Sequence, residues 1–147
     1  MSLRDGAVKM SKSDPSDNSR INLTDDADTI SQKIRKARTD AELLPEKLED
    51  LAGRAEAQNL VGVYAALAGR TPQNVLSEFA GQGFGAFKPK LADLAVSVMG
   101  PIGGEMRRLL SDPAEIDRIL EAGAERARAV AAPTLAEVKR IVGYWAG

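Results

Sequence analysis

The sequence contains neither cysteine nor histidine. The first absence removes disulfides, thiolate metal ligands and cysteine nucleophiles together, and it fits a reducing cytoplasm. With the second, a zinc or other transition-metal centre lacks its commonest ligands. Apolar stretches are broken by charge or glycine well short of the ~18 residues that a membrane span needs. Neither sign of charge dominates: 20 basic against 21 acidic residues leave a net charge of -1. No global field therefore draws the chain onto nucleic acid, and any RNA contact must come from a local patch. Nothing resembles a secretory signal, although a transit peptide is lost from view if the true N-terminus lies upstream. Internal repeats and low-complexity segments are also missing.

What is present is mostly helical pattern. A chain of 147 residues buries roughly 70% of its unfolded surface, enough for a core without staples. Thr24, Asp25 and Asp26 are N-cap candidates for a helix from about Asp25 to Thr39, in which Ala27, Ile30, Ile34 and Ala37 recur at steps of three and four. Lys33, Arg35, Lys36 and Arg38 crowd its far end, where cations suit the helix dipole; RNA contact is the alternative reading. Residues 40–54, around Pro45, form a connector with some helical turns. A second helix is expected over Glu56 to Leu67, closed at Gly69. Thr71-Pro72 opens a third, which carries Val75, Leu76 and Phe79 and stops at Gly81.

The glycine-rich run from Gly81 to Gly85 lacks the Lys-Ser/Thr of a P-loop and the spacing of a dinucleotide fingerprint, so it reads as a helix-to-helix turn with Phe84 and Phe87 as core anchors. Helical spacing then holds from Ala86 to Leu110 across Gly100-Pro101, where a kink or break is expected. Asp112-Pro113 with Glu115 starts another helix, its buried face formed by Ile116, Ile119, Leu120, Ala127 and Val130. Thr134 with Glu137 repeats the device and opens a last helix with Leu135, Val138, Ile141 and Val142 inside; Tyr144 and Trp145 are expected to pin the end. The sum is an all-α bundle of five or six helices preceded by a flexible arm.

The arm carries the chemistry. Met1 to Val8 reads as the tail of a strand entering a turn at Asp5-Gly6. Lys9-Met10-Ser11-Lys12-Ser13 follows, then Asp14-Pro15-Ser16-Asp17-Asn18-Ser19, whose residues favour open, mobile backbone over helix. Two ammonium groups and two hydroxyls on such a strip can wrap a triphosphate. A plain solvated basic tail is the other reading of the same pentapeptide.

KMSKS resembles, letter for letter, the signature loop of the Rossmann-type aminoacyl-tRNA synthetases. The longer run KMSKSDPSDNSRINLTDDADTISQKIRKARTD, from Lys9 to Asp40, is similar to the bacterial-type tryptophan members of that group, and the tyrosine members do not follow their loop with SDPSDNSRINLTDD. The likeness runs on through Gly81 to Lys88 and Glu121 to Arg128. It spans nearly the whole chain but only the C-terminal part of such an enzyme. No glycine-rich βαβ unit precedes Lys9, and the family's HIGH-like signature has no place in a chain without histidine. The expectation is a C-terminal fragment without the Rossmann catalytic core. Residues 1–23 would be the KMSKS loop and a connector from the nucleotide-binding domain, and residues 24–147 a helical anticodon-binding domain.

The resemblance implies activation of tryptophan with ATP and charging of tRNA(Trp). Lys12 is the implied catalytic cation, Lys9 a second one, and Met10, Ser11 and Ser13 complete the ATP-binding loop. Met10 reads equally as a hydrophobic peg. ATP would be a substrate carrying Mg2+ held mainly by the other domain, with no protein-ligated metal. A homodimer, a cytoplasmic location and no membrane contact are also implied, and the piece alone is expected to be inactive. Chemistry alone nominates Arg107, Arg108, Lys88, Lys90, Lys139 and Arg140 as RNA contacts. The competing reading is a non-enzymatic helical RNA-binding or adaptor module, in which the pentapeptide only meets RNA phosphate.

Overall fold

The computed structural model describes residues 1–144 and contains among them five α-helices and no strand: α1 Ala27–Lys36, α2 Ala55–Ala68, α3 Pro72–Phe79, α4 Phe84–Leu110 and α5 Pro113–Ile141. Single 3-10 turns cover Asp17–Ser19 and Leu48–Leu51. Residues 1–106 form one compact unit and residues from 107 onward a second.

Local chemistry sets the helix ends in the first unit. Of the three N-cap candidates before α1, Asp26 is the one used, its Oδ1 accepting Thr29 N–H at 2.8 Å. Thr71 Oγ1 caps α3 by accepting Asn74 N–H at 3.2 Å, with Pro72 behind it. Gly69 ends α2 at φ 63°, a left-handed conformation that glycine adopts without penalty. α1 is shorter than its periodicity suggests, because Ala37 turns out of helix and the next amide, Arg38 N–H, is donated to Leu3 O at 2.8 Å.

The core lies among α1 to α4. Ile30, Ile34, Leu44, Leu51, Leu60, Val75, Leu76 and Leu91 are buried around an aromatic cluster. Phe87 is at its centre, edge-on to Phe79 at 4.9 Å and to Phe84 at 6.1 Å, with Tyr64 tilted against it at 5.5 Å. Gly81 to Gly83 does make the turn from α3 to α4, with Gly81 at φ 72°. Its amides are fixed by Leu44, whose carbonyl accepts Gly81 N–H and whose N–H goes to Gln82 O, both at 2.9 Å.

Four expectations fail. No strand tail exists at Met1 to Val8: Leu3 alone exchanges backbone hydrogen bonds with Ser19 and Arg38, too little for a ladder. Of the kink or break expected at Gly100-Pro101, the break does not occur, and α4 runs on through it. The residue before a proline is normally driven from helix by a clash between its Cβ and the ring, and Gly100 has no Cβ. α5 likewise runs through Pro133, so Thr134 opens no separate helix. The alanine-rich approach Ala129 to Ala132 favours helix strongly enough to carry across one lost donor. Finally, no residue of α5 is buried: Ile119, Leu120, Val130, Leu135 and Val138 all face solvent. Asp112 does cap α5, accepting Glu115 N–H at 3.1 Å, and Arg108 holds Glu115 in a two-pronged ion pair at 2.6 and 2.8 Å. Tyr144 is exposed, and Trp145 lies outside the described residues.

Candidate functional site

Two consecutive residues hold the ends of the Lys9–Ser13 segment and its tail. Ser2 N–H donates to Val8 O and Leu3 N–H to Ser19 O, each at 2.9 Å, so residues 9–18 leave and re-enter the body at one point. That is the geometry of an Ω-loop. Leu3 and Ser19 are buried, and Asn59 Nδ2 of α2 donates to Ser2 O at 3.0 Å, which ties the base of the loop to the core. Only the outer part of the arm is free of such ties.

Within the loop, short side chains replace helix or sheet as backbone partners. Asp5 Oδ1 accepts Ala7 N–H at 3.0 Å, Ser11 Oγ accepts Ser13 N–H at 3.2 Å and Asp14 Oδ1 accepts Ser16 N–H at 2.8 Å. Two acidic residues in and just after the loop, Asp17 and Asp25, are then taken up by cations that are not in KMSKS, whereas the Asp14 carboxylate accepts a backbone amide and only its main-chain carbonyl meets Arg20. Arg20 Nη1 donates to Asp14 O at 3.1 Å and Arg20 Nη2 lies 3.4 Å from Asp17 Oδ1. Lys33 Nζ sits 2.7 Å from Asp17 Oδ2 and 2.6 Å from Asp25 Oδ2.

The consequence is a sorting of charge. Lys9 and Lys12 are exposed, and no carboxylate among the described residues engages either ammonium. Ser11 and Ser13 are exposed beside them, while Met10 lies over a hollow of about 210 Å³ lined by Leu3, Ile21 and Val63. The loop presents two unneutralised ammonium groups and two hydroxyls on a strip anchored at both ends, an arrangement suited to a polyanion.

Electrostatics of the tail follow from its partners. The Lys33 hydrogen bond, aided by Asn22, holds the Asp17 carboxyl below the usual aspartate range. Burial works against the Lys33 charge, yet its hydrogen bonds to Asp17 and Asp25 outweigh burial and raise the ammonium above the ordinary lysine range. Lys33 was read in sequence only as part of a basic helix end. The missed signal is its position: with Ile30, Ile34 and Ala37 it falls on one helical face, so a lysine occupies a slot in the apolar stripe.

The nominated RNA contacts divide. Lys88 donates to Ala37 O at 2.7 Å and Arg35 O at 3.3 Å, closing the carbonyl end of α1; burial lowers its pKa. Arg108 serves the Glu115 pair already described. Lys90, Arg107, Lys139 and Arg140 are exposed. Among the described residues no group of three or more acidic side chains could hold a metal ion, and no helix is long and apolar enough to cross a membrane.

A family model described as tRNA synthetases class I (W and Y) matches residues 1–99. The chain belongs to that family. Among curated relatives of this class I synthetase chain, a tryptophan–tRNA ligase of Caulobacter vibrioides is 66% identical over 145 residues, covering 99% of this chain and 42% of that protein. One from Rhizobium meliloti is 64% identical, over 98% of this chain and 41% of the relative. The chain therefore spans about two fifths of the length of the curated relatives it matches. The crystal structure of a tryptophanyl-tRNA synthetase from Mycoplasma pneumoniae superposes on 99% of the chain with a TM-score of 0.74 at 24% identity, covering 45% of that structure. That likeness carries the helical fold.

Proposed function

We propose that this chain is the KMSKS-bearing part of a tryptophan–tRNA ligase, in which Lys12, with Lys9, stabilises the charge that develops on pyrophosphate as ATP activates tryptophan. The observation that carries the reading is the sorting of charge: Arg20 and Lys33 take up the Asp17 and Asp25 carboxylates, and the two KMSKS lysines are left without acidic partners among the described residues. The relatives' names supply the amino acid.

In this reaction the tryptophan carboxylate attacks the α-phosphorus, the bond to the β-phosphate oxygen breaks, and magnesium pyrophosphate leaves. A cation that engages the leaving oxygens more strongly in the transition state than in bound ATP accelerates the step. Lys12 does this, Lys9 adds a second cation, and Ser11, Ser13 and the Met10 backbone shape the loop on the phosphates. The ammonium groups address phosphate oxygens and not a cation, so Mg2+ would come with the nucleotide and be held mainly by the nucleotide-binding domain.

Residues 1–23 serve as loop and connector to a nucleotide-binding domain, and residues 24–147 as a helical domain that meets the anticodon region of tRNA(Trp). The intact enzyme works as a cytoplasmic homodimer, and the piece alone does not form aminoacyl-adenylate. Lys12→Ala in the complete ligase should slow tryptophan-dependent pyrophosphate exchange by about two decades or more with the KM for tryptophan little changed. Equal kinetics in wild type and variant would end this assignment.

A further inference from the structure

Lys33 is only 3% exposed, on a helix face otherwise filled by Ile30, Ile34 and Ala37. Burying an ammonium is costly, and replacing a whole buried ion pair by well-packed apolar residues is commonly neutral or stabilising, although losing Lys33 alone would strand the Asp25 carboxylate. Stability alone therefore does not call for the pair as such. What the charge supplies, and a methyl group does not, is a directional tie to a carboxylate on another segment.

The two partners differ. Asp25 is nearly buried and is itself fixed, its Oδ2 accepting Asn22 N–H at 2.8 Å. Asp17 has a side chain 60% exposed and belongs to the returning limb of the loop, in the 3-10 turn that runs into buried Ser19. Asn22 Nδ2 steadies the same carboxylate at 2.9 Å from Oδ1. The outgoing limb, Lys9 to Ser13, makes local turn bonds, Ser13 N–H to Ser11 Oγ and Asp14 N–H to Ser11 O, each at 3.2 Å, and no ion pair among the described residues. One limb is thus fastened to α1 through an ion pair, and the other has no such polar tie to a helix.

We infer that Lys33 is a positioning residue for the KMSKS loop: held by Asp25, it fixes the returning limb through Asp17 and so sets where Lys12 meets the phosphates. The inference rests on the function proposed above. Displacing a reacting group by about 1 Å costs on the order of a hundredfold in rate, so loosening the limb should be felt in turnover before substrate binding.

The test uses pyrophosphate exchange by the complete ligase with Lys33→Met, Asp17→Ala and Lys12→Ala, and with Lys33→Met combined with Lys12→Ala. Lys33→Met and Asp17→Ala should each lower kcat by roughly ten- to a hundredfold with the KM for tryptophan unchanged. In the Lys12→Ala background, Lys33→Met should have little further effect, because both changes act through one cation. If Lys12→Ala slows the enzyme while Lys33→Met and Asp17→Ala keep full kcat, the positioning role is overturned and the proposed function stands. If Lys33→Met lowers the rate by the same factor in both backgrounds, its role is merely structural and the inference again fails. Should Lys33→Met not fold, the exposed Asp17→Ala carries the comparison. A Lys12→Ala enzyme with wild-type kinetics would remove both readings.

Discussion

Asp40 and Arg54 face each other as a two-pronged ion pair, with Arg54 Nη2 2.7 Å from Asp40 Oδ1 and Nε 3.0 Å from Oδ2. The same guanidinium donates to Leu43 O at 2.9 Å and Glu42 O at 3.3 Å. One side chain at the head of α2 thus closes the whole connector between α1 and α2, a segment whose sequence offers little beyond Pro45 and mixed charge.

A planar fork makes these bonds and a point charge does not. Arg54→Lys should therefore destabilise the protein by about 1 to 2 kcal/mol despite keeping the charge, and Arg54→Ala by roughly 2 to 3 kcal/mol, since it also strands a carboxylate. Urea midpoints with unchanged m-values check both figures; a silent Arg54→Lys would mean that charge alone closes the connector.

The ion pairs also predict a stability profile with pH. Arg54 beside Asp40, Lys33 beside Asp17 and Arg108 beside Glu115 each hold the acid below its usual range. Their contribution is complete above the ordinary carboxyl pKa values of about 4 and is lost as pH falls through the lower folded values. Lys33 has the opposite sign: raised above 10.5 in the fold, it contributes fully below that value, and its share is lost as pH rises through the folded one. Thermal midpoints should be flat between about pH 5 and 9 and fall on both sides. Asp40→Asn should flatten part of the acid limb, and Lys33→Met part of the alkaline limb.

How much of this was legible in advance depends on how local the cause is. The caps at Asp26, Thr71 and Asp112, the left-handed Gly69 and the aromatic anchors Phe84 and Phe87 follow from residues within a few positions of one another. So does the KMSKS loop itself. The ties that hold that loop were not legible, because they join residues far apart: Leu3 with Ser19 and Arg38, Ser2 with Asn59, Asp17 with Lys33. At two prolines the helix runs on without a break, for a related reason. Proline rules describe an average neighbour, and Gly100 and the alanines before Pro133 are not average. On α5 the apolar positions Ile119, Leu120 and Val130 were expected to be a buried face and are exposed, because periodicity says nothing about whether a stripe is covered.

Gly6 gives a sharper case of a distant cause. Sequence marks it as half of an Asp-Gly turn, yet a Cβ there would collide with the Ala55 carbonyl and sit 2.5 Å from Glu56 N. These are backbone atoms in the first turn of α2 and do not yield. Gly6→Ala should cost about 1 to 3 kcal/mol. Gly62, inside α2, meets nothing within 4 Å, and Gly62→Ala should instead stabilise by about 0.5 to 1 kcal/mol through helix propensity. Opposite shifts in the urea midpoint check the pair, and equal shifts would refute the close approach of the arm to α2.

Phe87 is the residue on which the first unit's core turns. It is fully buried, and Phe79, Phe84 and Tyr64 all pack their rings against it. Removing the ring deletes apolar contact and leaves a cavity whose rigid aromatic walls come from α2, α3 and α4 and collapse poorly, so Phe87→Ala should lose about 3 to 5 kcal/mol. Tyr64 lies at the edge of the cluster and keeps some solvent contact. Tyr64→Phe preserves both of its ring contacts and should change stability by less than about 1 kcal/mol, because the side chain makes no hydrogen bond that the cluster needs. Denaturant unfolding of both variants decides the matter: if Phe87→Ala falls within about 1 kcal/mol of wild type, the cluster is not the centre of the core.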